Sequence, residues 1–213
     1  MSEVNAAQSA ALTAQALHLW RGEHHLLRGI TFSLSSGELL QISGPNGVGK
    51  TSLLRLVAGL MPAESGDVHW RGVGIQSDMD GYHSELAYLG HANALKLDLT
   101  ALENLQFSAG IRTAADSAQC LRVLDALAVA HCVALPVKVL SAGQRRRVAL
   151  ARVLLCEAPL WIMDEPITNL DVAGIQVVEQ LMADHLVKGG MILAAAHQTL
   201  LAAHAGTRNL SLH

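Results

Sequence analysis

The chain has 213 residues, 51% of them hydrophobic, with 15 Lys and Arg against 18 Asp and Glu for a formal net charge of −3. That length is enough to bury a sizeable core and short enough for one domain, 1–213, while the mild acidity and the lack of like-charge blocks leave a nucleic-acid footprint or a polybasic membrane anchor unsupported. Cys120, Cys132 and Cys156 are an odd set with no C-x-x-C, which favours small core residues in a reducing compartment over a disulfide framework.

The chain opens Met1, Ser2, Glu3 and has no Lys or Arg before Arg21, so the basic start and apolar stretch of a secretory signal are both missing. Residues 39–42 are a short apolar run that ends in a Gly-rich turn, and residues 52–60 then carry apolar positions at helical spacing, which predicts strand, loop, helix. Gly59, Pro62, Ser65 and Gly66 punctuate the next turn, after which residues 67–70 alternate as an edge strand does. Residues 102–127, rich in Leu and Ala and poor in β-branched residues, predict a helical insertion between two parts of a sheet. Arg145, Arg146 and Arg147 form the one dense basic cluster and read as a solvated helix face. Residues 160–163 and 191–195 are apolar runs followed by polar residues, the pattern of buried strands in a mostly parallel sheet with functional groups at their carboxyl ends. The most apolar stretches, 148–163 and 191–203, are interrupted by Arg152 and Glu157 and by His197 and Gln198, so neither reaches the ~18 uninterrupted apolar residues that span a bilayer. The eleven His include no H-E-x-x-H and no Cys partner at zinc spacing.

Gly44, Pro45, Asn46, Gly47, Val48, Gly49, Lys50 and Thr51 fit G-x-x-x-x-G-K-[ST] between a predicted strand and a predicted helix that begins at Ser52. Glycines let backbone N–H groups converge on phosphate oxygens, and the following helix adds its positive end. Lys50 is placed to lie against the β- and γ-phosphates and the Thr51 hydroxyl to coordinate Mg²⁺. This motif alone predicts a nucleoside triphosphate.

Leu140, Ser141, Ala142, Gly143 and Gln144 resemble the L-S-G-G-Q signature of ABC ATPases, with Ala142 in place of the first Gly. The run from Leu160 to Asp164 and Glu165 resembles a Walker B strand, Thr168 to Asp171 a D-loop, and His197 a switch histidine. The chain is thus identified with the ABC-type P-loop cassettes over most of its length. The resemblance implies an α/β fold with a mostly parallel core sheet, an antiparallel β edge and a helical subdomain, roughly residues 92–158, that carries the signature. It also implies ATP and Mg²⁺ as cofactors, Thr51 and Asp164 at the metal, Glu165 as the group that activates water, and His197 at the γ-phosphate. Ser141, Ala142, Gly143 and Gln144 then serve the nucleotide of a second copy of the chain.

Trp20 is placed to stack on adenine, the alternative being a core tryptophan. The position usually held by the family's Q-loop glutamine carries His91, whose neutral imidazole offers one hydrogen bond near Mg²⁺ and water. Within ABC proteins, the strings Tyr88–His91, Leu99–Leu105 and Met163–Thr168 and the His197, Gln198 pair resemble the ATP-binding subunits of bacterial cytochrome c maturation systems. That resemblance implies a peripheral subunit on the cytoplasmic face of the inner membrane, paired with the membrane-spanning subunits of a heme exporter. Heme export and release of a heme chaperone both fit, as does an exporter of another substrate. No C-x-x-C-H or axial pair marks a direct heme site.

Overall fold

The computed structural model describes residues 11–112 and 116–213; the opening at Met1, Ser2 and Glu3 and the middle of the 102–127 stretch lie outside them. In chain order the elements are β1 (Leu12–Arg21), β2 (His24–Leu34), β3 (Leu39–Ser43), α1 (Lys50–Val57), β4 (Ser65–Trp70), β5 (Val73–Gly74), α2 (Met79–Ser84) and β6 (Leu86–Leu89). Then come α3 (Ala101–Arg112), α4 (Ser117–Ala126), two short 3₁₀ turns, α5 (Ala142–Leu155), β7 (Leu160–Asp164), α6 (Val172–Val187), β8 (Met191–Ala195) and β9 (Thr207–Ser211).

Two sheets result. One is parallel in the order β6-β7-β8-β3-β9, and the other is antiparallel in the order β2-β1-β4-β5. Every residue of β7 and β8 is buried, because both faces of the parallel sheet are covered. Alternation sorts their side chains. Leu160, Ile162, Leu193 and Ala195 join Leu53 and Leu54 of α1 and Leu12, Leu27 and Leu34 of the antiparallel sheet. Trp161, Met163, Ile192 and Ala194 face the opposite way, into a core with Leu105, Leu124, Val148 and Met182 from the helices.

The 67–70 segment is part of β4, which begins at Ser65, pairs with β1 and meets the two-residue β5 only at His69 and Trp70. The stretch 102–127 forms α3 and α4, α4 opening on a capping box from Asp116 to Gln119. Cys120 and Cys132 are core residues and burial raises their thiol pKa values; Cys156, expected beside them, is only partly buried.

In register, Ile42 pairs with Ala195 and Asp164 with Ala195. The carboxyl ends of β3, β7 and β8 therefore lie side by side, and the segments that leave them, from residues 44, 165 and 196, start as neighbours. This is the place a parallel sheet offers for chemistry.

Candidate active site

The loop between β3 and α1 departs from ordinary backbone at its glycines. Gly44, Gly47 and Gly49 have φ of 143°, 83° and 111°, and Gly49 caps α1 in the left-handed region without a side-chain bond to the first turn. The leading amides of α1 are thus free of a capping side chain, the arrangement that favours an anion at a helix start. Lys50 is only 8% exposed, and its ammonium donates to the carbonyls of Gly44 (2.7 Å) and Pro45 (3.1 Å), holding the charge over the loop's own backbone.

Thr51 Oγ1 donates to Asp164 Oδ2 at 2.7 Å, and Asp164, the last residue of β7, is 2% exposed. A hydroxyl and a carboxylate converging beside a buried lysine are hard oxygen donors, and the pair fits a divalent cation that also holds phosphate. Burial pushes the Tyr88 phenol up, and the charge of Asp164 pushes it further.

Glu165 follows in the left-handed conformation, φ 52°, with its N–H donating to Ala195 O at 2.8 Å. Its Oε1 lies 3.4 Å from His197 Nε2, and its Oε2 accepts from Thr168 Oγ1 at 3.4 Å. The segment after β8 that carries His197 is pinned from below by Gln41. This buried residue of β3 donates to Gln198 O (2.9 Å) and Ala196 O (3.4 Å) and accepts from the Leu200 N–H (2.9 Å).

Ser141 caps α5: its Oγ accepts from the Gln144 N–H at 3.1 Å, while Gln144 Oε1 accepts from the Ser141 N–H at 2.8 Å. Gln144 also meets His131 at 3.3 Å. Ser141 and Ala142 are exposed, and a Cβ on Gly143 would lie 2.7 Å from the Asn169 carbonyl. Arg147 pairs with Asp171, which caps α6 by accepting from the Gly174 N–H. The signature segment and the 168–171 segment therefore interlock within one chain.

Trp20 is 45% exposed at the end of β1, which removes the core reading. Its ring stacks on His25 of β2, centroids 4.1 Å apart and 4° from parallel. Partial burial, then the neighbouring His18 at 3.0 Å, hold the His25 imidazole below its ordinary pKa. Leu26 and Leu27, the next two residues, would meet a Cβ on Gly49 at 3.1 and 3.0 Å, so β2 passes beside the phosphate loop just beyond His25. His91 is exposed just beyond β6.

One expectation is corrected. Of the three arginines read as a solvated helix face, Arg146 is 3% exposed and Arg147 is partly buried in its pair with Asp171. Burial lowers the Arg146 pKa to about 10, against the opposing pull of Asp164 and Glu165, so it remains charged at neutral pH. Its long stem crosses the helix–sheet core to polar backbone that no carboxylate motif announces. Gln41 was missed as well, although a lone polar residue inside L-L-Q-I-S is a legible signal of a buried hydrogen-bonding role.

The sequence profile described as "ABC transporter" matches residues 27–168. The chain is 44% identical over 191 residues to the cytochrome c biogenesis ATP-binding export protein CcmA of Nitrosomonas europaea, covering 89% of this chain and 90% of that one. It is 45% identical over 201 residues to the protein of the same name from Escherichia coli K12, covering 94% and 96%. Among solved structures it superposes on an ATP-binding subunit of an ABC transporter with TM-score 0.84 at 25% identity, covering 95% and 86% of the two chains. A nucleotide-free ATP-binding cassette from an ABC transporter superposes with TM-score 0.81 at 21% identity, covering 95% and 89%.

Proposed function

The chain belongs to the ABC transporter family, and from that premise we propose that it is the ATP-hydrolysing subunit of an exporter complex in c-type cytochrome biogenesis, coupling hydrolysis to heme export or to release of a heme chaperone. The observation that carries this reading is the 45% identity to the Escherichia coli export protein. At 94% coverage the matched stretch includes every residue from Trp20 to His197.

ATP enters with its triphosphate over residues 44–49, where loop and helix amides meet phosphate oxygens, Lys50 offsets their charge and Ser52 continues the helix start. Trp20, already held flat by His25, offers its open side to adenine. Thr51 and Asp164, with His91 as a further candidate ligand, would hold Mg²⁺, which would supply neutralisation of charge on the transferring phosphoryl group. Glu165 accepts the proton of the attacking water, and His197, 3.4 Å from it, donates a hydrogen bond toward the γ-phosphate side.

A second copy completes the site. Its Ser141, Ala142, Gly143 and Gln144 present a capped helix start to the γ-phosphate, an interaction that hydrolysis removes, so ATP favours the paired state and ADP releases it. No helix among the described residues is long and apolar enough to cross a membrane. In this reading the chain attaches at the cytoplasmic face of the inner membrane through the membrane-spanning subunits of the exporter.

The test is complementation of a deletion by the wild-type chain or by Lys50→Ala, scored as covalent heme on periplasmic c-type cytochromes. Wild type restores the signal and Lys50→Ala does not. Equal restoration by both sinks an ATP-driven role, and restoration by neither points to a cassette serving another substrate.

A further inference from the structure

Arg146 binds four acceptors from two separate parts of the chain. Its Nη1 group donates to the Gly90 carbonyl (3.0 Å) and to Asn93 Oδ1 (3.0 Å), both in the segment that leaves β6. Its Nη2 group donates to the carbonyls of Asp164 and Glu165, the latter at 2.7 Å, in the turn that leaves β7. Only a guanidinium spans such an arrangement, because its N–H groups lie in one rigid plane; an ammonium is a single point. Arg152, two turns along the same helix, donates to Asn93 O (3.3 Å) and Ala94 O (2.9 Å). Segment 90–94 is thus strapped to α5 at two points, and one of those straps continues to the Glu165 turn.

Glu165 is where such a strap matters. A non-glycine residue in the left-handed region persists only when its surroundings over-determine it. Here its N–H donates to Ala195 O, and its carbonyl accepts from the Thr168 N–H at 3.3 Å and from Arg146 at 2.7 Å, the one side-chain bond of the three. Releasing the Arg146 bond leaves a buried cation short of partners, and Arg146 Nε already has none.

We infer that Arg146 is a positioning residue for Glu165, the link through which a displacement of segment 90–94 reaches the hydrolytic carboxylate. This rests on the reading of Glu165 as the group that activates water. Segment 90–94 cannot move away from α5 without breaking the Gly90 and Asn93 bonds or turning the guanidinium, and turning it shifts the Glu165 carbonyl. Since α5 begins at Ala142, directly after its cap Ser141, the signature end shares one helix with Arg146, whose bonds reach the hydrolytic turn. Lys50 and Thr51 share no bond with Arg146, which meets Asp164 through its backbone carbonyl and leaves the carboxylate to Thr51, so the expected effect of losing Arg146 falls on Glu165 turnover before nucleotide affinity.

The experiment compares Arg146→Ala, Arg146→Lys and Glu165→Gln with wild type, in the full chain co-purified with its membrane subunits. ATPase turnover is measured beside the Kd for a fluorescent ATP analogue. For Arg146→Ala the expected result is a kcat lower by about 10–100-fold, the scale of an ångström-level misplacement of a reacting group, with Kd unchanged within about twofold. Arg146→Lys, which keeps the charge and one pair of bonds, falls between. Wild-type kcat in Arg146→Ala overturns the inference, as does a parallel loss of kcat and affinity in both variants, the signature of a merely structural role. Should Arg146→Ala fail to fold, Arg146→Lys alone decides: reduced kcat at unchanged Kd supports the linkage and unchanged kcat overturns it. Normal turnover by Glu165→Gln would instead remove the premise, separating that failure from a failure of Arg146 itself.

Discussion

Thr51 and Asp164, 113 positions apart in the chain, are joined by a 2.7 Å hydrogen bond. The bond exists because α1 starts directly above the carboxyl ends of β3 and β7, and it brings the two oxygens of the inferred metal site together. Asp164→Asn keeps an acceptor for the Thr51 hydroxyl and removes the charge. The expected outcome is an intact fold whose ATP affinity no longer responds to Mg²⁺, a loss of about 10–100-fold at saturating metal. Calorimetric titration of ATP with and without Mg²⁺ measures it, and an unaltered metal dependence would count against Asp164.

Much of this site was legible because its chemistry is local in sequence. The glycines sit in one loop with Lys50 directly after it at the start of α1, and residues 160–165 read as an apolar strand with carboxylates at its end because both faces of a parallel strand are buried. The less legible parts depend on distant partners. β1 and β2 carry register shifts at several positions, which blur the two-residue alternation that marks a half-buried strand. Arg146 lies in a run of three arginines whose composition is the same whether one of them faces water or core; only the fold of β6 and β7 against α5 supplies its acceptors.

Trp20 presents an indole ordered by its stack on His25, and base stacking on such a platform contributes about 1–3 kcal/mol. Trp20→Ala should raise the Kd for ATP on the order of tenfold, while Trp20→Phe stays near wild type. Inorganic triphosphate, which has no base, should bind Trp20→Ala as it binds wild type. Equal weakening of both ligands would show that Trp20 supports the loop rather than the base.

The signature of this chain differs from L-S-G-G-Q at one glycine, and the backbone explains why that one tolerates a methyl. Ala142 is exposed, whereas a Cβ at Gly143 meets the Asn169 carbonyl at 2.7 Å. Gly143→Ala forces α5 away from the 168–171 segment, an overpacking cost of about 1–3 kcal/mol, seen as a melting temperature lower by roughly 2–4 °C per kcal/mol. Ala142→Ser should change stability by less than about 0.5 kcal/mol. Comparable melting shifts for the two variants would mean that the close approach at Asn169 is relieved by backbone movement.

His185 gives the molecule an acid-sensitive seam. Its ring stacks on Trp161 at 3.8 Å and 8°, and burial lowers its pKa below the ordinary 6.5, with Lys188 adding to that and backbone hydrogen bonds at Pro159 and Met191 opposing it. Gly190 leaves room for it, since a Cβ there would sit 2.2 Å from Nε2. Between the folded and unfolded pKa values the unfolded chain binds more protons, so stability rises with pH through that window and is lost as pH falls below 6.5. Asp184, the neighbouring residue on α6, accepts from Gln180, and neither it nor Glu179 of the same helix is hydrogen-bonded to the His185 ring. His185→Phe keeps an aromatic ring against Trp161 and takes up no proton. Chemical denaturation at about pH 7.5 and about pH 5.5 should therefore show a smaller acid penalty in His185→Phe than in wild type. The other titrating histidines are common to both proteins and cancel in that difference. Identical penalties would mean that the stack opens to water on protonation and that its burial in the folded chain sets no barrier to charge.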